Sequence, residues 1–292
     1  MKAIAYIVML MCVSATSRAA DTIAIGIESD EKTFVPGEEI SVKVWIRNFS
    51  GREIHTGAKK GWLGFMVKAS GSSSVPVMRE SDFIQPFVVP HGREAKVKVN
   101  LGEYLTFHES GQFAVQPIVQ TGSGSEDFKV GDAFRFDIVQ PAAMREQAFG
   151  VMEPGAARAR TRLYTVQRLT RNKQEIFVRV TDQESNQIMG LANLGQIVAF
   201  ARDIEAQTDR VSNYHVLHQS GAKQYHYHVV TPSGKVIRRW IYRIDFSQRP
   251  QLTMTEEGMV RVVGGTRMRQ QNDPLDHDPI PVDLRKVTQG GG

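Results

Sequence analysis

Alternating apolar and polar residues predict β-structure through the first half of the chain. Between residues 40 and 46 every second residue is apolar, and Ser41, Lys43 and Trp45 occupy the opposite side. Residues 23–27 alternate in the same way, and Pro36-Gly37 between the two segments predicts a tight turn. About seven short strands bounded by Gly, Ser or Pro predict a β-sandwich over residues 20–140. The remaining predicted strands of this region are 63–68, 83–89, 95–101, 112–120 and 133–139.

The second half of the chain predicts another β-domain after an interruption. Pro141, Gly150 and Pro154-Gly155 break the alternation, so residues 141–165 predict a linker. Strand patterns resume over residues 166–268 and predict an antiparallel β-meander or a partial, blade-like domain, because roughly 110 residues are too few for a closed propeller. The predicted fold class is therefore all-β. The polar residues 269–292, which end in Gly-Gly-Gly, predict a disordered tail.

Two segments resemble known exported proteins. The stretch 34–48 (Phe-x-Pro-Gly-Glu-x-Ile-x-Val-x-Val-x-Ile-x-Asn) and the stretch 110–115 (Ser-Gly-Gln-Phe-Ala-Val) resemble immunoglobulin-like or macroglobulin-like domains of exported bacterial proteins. The second half, with His215-Val-Leu, resembles uncharacterised C-terminal β-domains of such proteins. The resemblance implies an immunoglobulin-like N-terminal sandwich. It implies no activity, because sandwiches of this kind serve adhesion, inhibition and spacing alike.

The first nineteen residues have the pattern of an export signal. Lys2 precedes an apolar run at 4–13, and Ser17-Arg18-Ala19 is a small-x-small cleavage site, which together predict a secretory signal peptide over residues 1–19. A lipobox ending at Cys12 is the alternative, although a methionine stands where a small residue is required. We therefore expect a secreted or periplasmic protein whose mature chain begins at residue 20 or 21.

Composition removes several classes of chemistry from this expected mature chain. Cys12 is the only cysteine and would leave with the signal, which excludes disulfides, thiolate nucleophiles and Cys-ligated zinc. No later apolar run is long enough to predict a transmembrane segment. Residues 21–140 carry 13 Lys/Arg against 16 Asp/Glu, a balance of −3, whereas residues 141–292 carry 21 against 15, a balance of +6. Because the densest arginine cluster (Arg158, Arg160, Arg162 and Arg168) is not interleaved with aromatic residues suited to stacking bases, we expect no nucleic-acid binding.

One hairpin concentrates candidate site residues. Four of the eight histidines lie between residues 215 and 228. If Gly221-Ala222 is a two-residue loop, His215, His226 and His228 share a face with paired Cβ atoms about 5 Å apart, close enough for a shared zinc or copper ion. The alternative is that these histidines are neutral packing residues, and we favour it because no Asp or Glu lies within the hairpin. A candidate binding face for a sugar or protein consists of Tyr214, Tyr225, Tyr227 and Trp240, and core packing is the competing interpretation.

Catalytic motifs are missing from the sequence, which contains no Gly-x-Ser-x-Gly, no His-Glu-x-x-His and no glycine-rich phosphate loop. We therefore predict a non-enzymatic binding or scaffolding protein of the cell envelope, without a cofactor, whose partner is an envelope protein or a polysaccharide. The first alternative is a secreted hydrolase acting on polysaccharide or peptide. The second alternative is a protease inhibitor, which an exposed, extended loop at residues 69–81 would favour.

Overall fold

The computed structural model describes residues 23–69, 77–80, 84–104, 107, 109–122, 127–152, 159–198, 204–244 and 248–269. β-Strand is the main secondary structure of these residues and helix is limited to one 3-10 turn, which confirms the predicted all-β class. The strands of the first half, with one short 3-10 helix (Leu101–Glu103), are β1 (Ile23–Glu28), β2 (Thr33–Phe34), β3 (Ser41–Asn48), β4 (Ile54–Thr56), β5 (Leu63–Ala69), β6 (Val77–Glu80), β7 (Phe87–Val89), β8 (Arg93–Asn100), β9 (Gly111–Gln120), β10 (Phe128–Val130) and β11 (Phe134–Ile138).

Eleven further strands are described in the second half of the chain, where every pairing is antiparallel. They are β12 (Ala142–Val151), β13 (Arg160–Thr170), β14 (Gln174–Asp182), β15 (Ile188–Gln196), β16 (Glu205–Thr208), β17 (Tyr214–Gly221), β18 (Gln224–Val230), β19 (Val236–Arg243), β20 (Gln251–Met254), β21 (Val260–Val263) and β22 (Thr266–Met268).

Among the described residues, the first compact unit takes those within 23–32, 40–104 and 112–136. It contains a sheet ordered β1–β3–β8, a sheet ordered β11–β9–β5–β6 with β10 beside β9, and the small pair β4–β7. Apolar side chains alternate with polar ones along β3, where Val42, Val44 and Ile46 are fully buried. Several antiparallel sheets, each with one buried apolar face, are consistent with the predicted β-sandwich.

The second compact unit takes the described residues within 33–39, 107–111 and 137–269. A sheet ordered β12–β13–β14–β15 packs on a sheet ordered β16–β17–β18–β19–β22. Apolar residues of both sheets meet in one core, because strand parity places every second side chain between them. The members of this core include Tyr164, Val166, Ile176, Val178, Val180, Leu194, Tyr214, Val216 and Val230.

Two additional layers cover the outer faces of this second sandwich. The β20–β21 hairpin packs Leu252 and Val260 on the outer face of the β17–β18–β19 sheet. On the other side, Val35 packs on Leu169 and Phe177 of the β13–β14 pair. The segment 33–39 is therefore a structural part of the second unit although it precedes the first unit's second strand.

The structure corrects the predicted linker at residues 141–165. These residues contain β12 and the beginning of β13, which pair from Ala142↔Arg168 to Val151↔Arg160. Apolar alternation is weak in β12 because it is an edge strand on which only Phe149 is buried. The second unit thus begins well before the predicted residue 166.

Three other predictions involve residues outside the described ranges. The signal peptide at 1–19 and all but the first residue of the tail at 269–292 lie there. Of the loop at 69–81, Ala69 belongs to β5 and Val77–Glu80 form β6, which pairs with β5. The residues between these two strands are also outside the described part.

Candidate functional site

The four residues predicted as an aromatic binding face do not form one surface. Tyr214 is fully buried on the inner face of the second sandwich, where its ring stacks on Tyr164 at a centroid distance of 4.5 Å. Tyr227 is also buried, but on the outer face of the same sheet. Tyr225 and Trp240 are partly buried beside it. Most of the predicted face is therefore core.

Trp240 lies under two positive charges. The guanidinium carbon of Arg238 lies 4.2 Å from the ring centroid and that of Arg267 lies 3.8 Å away. Contacts of this kind are favourable because the ring face is electron-rich. The arginines shield the indole, so stacking of a sugar on this ring would require them to move.

The histidine hairpin has a register one residue away from the predicted one. Leu217 pairs with Tyr227 and His218 with His226, because the turn is at Ala222-Lys223 and a bulge interrupts the ladder between Gln219 and Gly221. A one-residue shift transfers each side chain to the other face. The predicted trio of His215, His226 and His228 is therefore not brought together. His218 takes the place of His215.

His215 instead forms a buried network on the outer face. Its Nε2 lies 3.0 Å from Oδ2 of Asp209 and its Nδ1 lies 2.6 Å from the hydroxyl of Tyr227. Because the carboxylate can only accept, Nε2 carries the proton and Nδ1 accepts from the tyrosine, whose pKa is raised by burial. The Asp209 carboxylate also accepts from the main chain of Val211 and Asn213. Burial raises the pKa of Asp209, but these hydrogen bonds outweigh burial and leave it lowered.

This Asp–His–Tyr arrangement has the hydrogen-bond order of a proton relay, yet it is almost completely shielded from solvent. Asp209 is 5% exposed, His215 0% and Tyr227 2%. A substrate therefore has no access to it in this conformation. The network fixes the turn at residues 209–213, in which Ser212 has a φ of 65° and its carbonyl accepts from the Tyr164 hydroxyl at 2.8 Å.

A second histidine group, which we call the histidine cluster, consists of His218, His226 and His228 on the inner face. Their ring centroids lie 5.5 to 6.0 Å apart. His218 and His228 are buried, and both ring nitrogens of His218 and Nδ1 of His228 have no hydrogen-bond partner. His226 is half-buried, and its Nε2 lies 2.9 Å from the amide nitrogen of Gln224.

Burial keeps this cluster uncharged at neutral pH. Desolvation lowers the pKa of His218 to about 3, with a contribution from His226, and it lowers the pKa of His228 well below its usual range. The pKa of His226 is lowered by burial and by Arg239. Neutral imidazoles are the form that binds metal ions. As the rings are placed, however, no group of three or more His, Cys, Asp or Glu side chains within the described ranges forms a metal site.

A polar cleft of about 560 Å³ opens on the second unit. Phe177 and Leu191 contribute apolar walls, whereas Glu39, Asn193, Lys235 and Arg239 are exposed polar groups around it. Gly190 and Gly234 approach each other closely beside this cleft. The contact requires glycine, because a Cβ on Gly190 would lie 2.3 Å from the carbonyl oxygen of Ser233.

Sequence reasoning missed this cleft because its lining comes from distant stretches, at residues 38–39, 177, 191–193 and 234–239. No local motif joins them. The only sequence signal for the cleft is the predicted turn at Thr231-Pro-Ser-Gly, which Lys235 follows directly. In the structure this turn is closed by a hydrogen bond from Gly234 N to Thr231 O.

Comparisons with known proteins found structural similarity of low degree. No family model matches the chain, and no curated protein matches it. A β-glucosidase from Erythrobacter marinus aligns with 40% of this chain and 15% of its own, at 17% identity and a TM-score of 0.27. A β-glucosidase from Listeria innocua aligns at 21% identity, 40% and 16% coverage and a TM-score of 0.26. The sporulation control protein Spo0M of Bacillus subtilis aligns at 8% identity, 61% and 91% coverage and a TM-score of 0.28.

The aligned region spans about a sixth of either β-glucosidase. Similarity at these TM-scores assigns neither a family nor an activity. Across the residues that the structure describes, no helix is both long and apolar enough to traverse a bilayer.

Proposed function

We propose that the protein is a non-enzymatic binding protein of the cell envelope, secreted or periplasmic, and that the polar cleft of the second unit holds a polysaccharide segment. The observation that supports this proposal is the set of groups around the cleft. Sugar hydroxyls both donate and accept hydrogen bonds. The Glu39 carboxylate accepts, the Lys235 ammonium and Arg239 guanidinium donate, and the Asn193 amide does both.

The form of the cleft also suits a chain rather than a small molecule. It is open, and its exposed groups lie on several segments instead of surrounding a closed cavity. Arg239 is already oriented, because its guanidinium donates to the carbonyl of Asn193 at 3.0 Å. A donor that is held in place before binding loses less conformational entropy on contact with a ligand. The first unit, with its resemblance to immunoglobulin-like domains, would serve as a scaffold.

Co-sedimentation of the purified protein with insoluble envelope polysaccharide tests this function. The double variant Glu39→Gln with Lys235→Ala changes two exposed side chains, and we expect it to lower the affinity at least tenfold. Lys98→Ala is the matched control, because Lys98 is an exposed lysine of the first unit. Equal retention of the double variant and the control would contradict the assignment of the cleft.

The two alternative functions give different outcomes in the same experiment. Release of reducing ends from the polysaccharide would identify a hydrolase. Binding to a protease of the envelope fraction in place of polysaccharide would identify an inhibitor. Neither alternative has a specific observation in its favour among the described residues.

A further inference from the structure

The histidine cluster lies where the two sheets of the second sandwich are fastened along one edge. Beside it, the main-chain nitrogen of Val198 donates to the carbonyl of Gln219 at 3.1 Å. Arg239 of β19 donates to Asn193 of β15. The end of β15 is thus attached to the β17–β18–β19 sheet at the position of the histidines.

The surroundings of the cluster contain no charge that would favour protonation. On β15, the main chain of Gln196 lies near His218, although the two do not form a hydrogen bond of normal geometry. Gln196 raises the pKa of His218, but by less than burial lowers it. From β19 the facing charged group is Arg239, which is positive and disfavours protonation of His226 and His228. Within the described part of the chain, no carboxylate contributes to the pKa of any of the three.

Like charges at this separation would repel strongly in a buried setting. With ring centroids 5.5 to 6.0 Å apart, one protonated imidazole raises the cost of charging the next. The half-buried His226 is the ring that water reaches first. Protons can therefore be accommodated on all three rings only if the edge separates and water enters.

We propose that His218, His226 and His228 form an acid-sensitive latch that keeps the end of β15 closed on the β17–β18–β19 sheet at neutral pH and releases it in acid. The latch does not depend on the proposed polysaccharide ligand. Its opening would nevertheless alter the cleft, since Asn193 and Arg239 belong both to the fastened edge and to the cleft lining.

The sign of the pH dependence follows from the lowered pKa values. In the open edge the histidines have their ordinary pKa of about 6.5, whereas in the closed edge they resist protonation, so protons favour the open form as the pH falls below about 6.5. For one histidine with a closed-state pKa near 3, the opening equilibrium rises about thirtyfold between pH 7.5 and pH 5. The other two histidines add to this factor.

Amide hydrogen exchange of the full chain, corrected for intrinsic rates, tests the latch. We expect the amide of Val198, whose hydrogen bond to Gln219 crosses the edge, to lose protection at least thirtyfold from pH 7.5 to pH 5, while the amides that join β13, β14 and β15 keep theirs. The variant His226→Gln retains an amide that can bond to Gln224, and we expect it to reduce this response. The triple variant with His218→Gln and His228→Gln should abolish it, and His55→Gln, an exposed histidine of the first unit, should leave it unchanged.

Two results would overturn the proposal. One is protection of the Val198 amide that does not change with pH in the wild-type protein, which needs no variant to fold. The other is micromolar zinc or copper that protects the Val198 amide at pH 7.5 in the wild type but not in His226→Gln, because the cluster would then be a metal site.

Discussion

Removal of the Arg171 side chain should destabilise the second unit more than most single substitutions. Arg171 lies in the turn between β13 and β14, where it donates to the carbonyl of Thr33 at 2.6 Å, to Glu38 at 2.9 Å and to Glu175. The exposed fractions of the three charged side chains are 7% for Arg171, 13% for Glu38 and 6% for Glu175. Arg171 therefore compensates both carboxylates and fastens residues 33–39 to the sheet, whereas Lys173, 3.3 Å from Glu175, contacts only the second of them.

The expected magnitude follows from the carboxylates left behind in Arg171→Ala. Breaking a buried ion pair from one side costs about 3–5 kcal/mol when the remaining charge is buried without compensation, and here that charge is Glu38, since Glu175 keeps Lys173. Burial already raises the pKa of Glu38 against the effect of Arg171, so without the arginine it should take up a proton more readily. For a unit of this size the loss corresponds to a decrease of roughly 10 °C in Tm.

Urea unfolding followed by exchange of the β13 and β14 amides measures this loss in the second unit alone. The matched variant replaces Arg171 by Met together with Glu38→Gln and Glu175→Gln, which removes all three charges and leaves no buried ion. We expect this variant to be more stable than Arg171→Ala. A loss below about 1 kcal/mol in Arg171→Ala, or a triple variant that is less stable than the single one, would refute the reasoning.

Two further predictions concern close packing and the buried network. Gly190→Ala should lower the stability of the second unit by about 1–3 kcal/mol in thermal unfolding, because the added Cβ would lie 2.3 Å from the Ser233 carbonyl oxygen. Gly221→Ala is the control and should be nearly neutral, because its added Cβ would make only ordinary contacts. Asp209→Asn should destabilise at neutral pH by about 2 kcal/mol through weakened hydrogen bonds to the turn and to His215. Because the pKa of Asp209 is lowered in the folded state, its contribution to stability is present above about pH 4 and disappears in stronger acid. The free energies of unfolding of the wild type and Asp209→Asn should therefore converge in acid, and a constant difference between them across a pH series would contradict this account.

Strand periodicity predicted the parts of the fold in which one face is buried. The alternation at residues 40–46 is confirmed by the burial of Ile40, Val42, Val44 and Ile46. The opposite side is only partly exposed, since Trp45 covers Gly26, where a Cβ would lie 2.1 Å from its ring. A period of two residues carries this information because burial on one face acts at every second position.

Edge strands and bulges could not be read in the same way. β12 has one buried apolar residue, Phe149, so its sequence has the composition of a linker although nine of its ten residues are paired with β13. The bulge between Gln219 and Gly221 has no distinct sequence signal, yet it decides whether His215 or His218 joins His226 and His228. The histidines that share a face therefore include His218 in place of the predicted His215.

The segment 33–39 has a consequence for the order in which the chain can fold. Glu38 and its partner Arg171 are separated by 133 positions, and residues 40–105 of the first unit lie within that interval. At about 5–20 residues per second, a ribosome needs on the order of ten seconds to add the chain between them. During that time Glu38 lacks Arg171 and Val35 lacks the β13–β14 surface on which it packs, so the second unit cannot be completed as an independent C-terminal product. A fragment that begins at residue 141 would lack Glu38 and Val35, and its turn between β13 and β14 would present Arg171 to water.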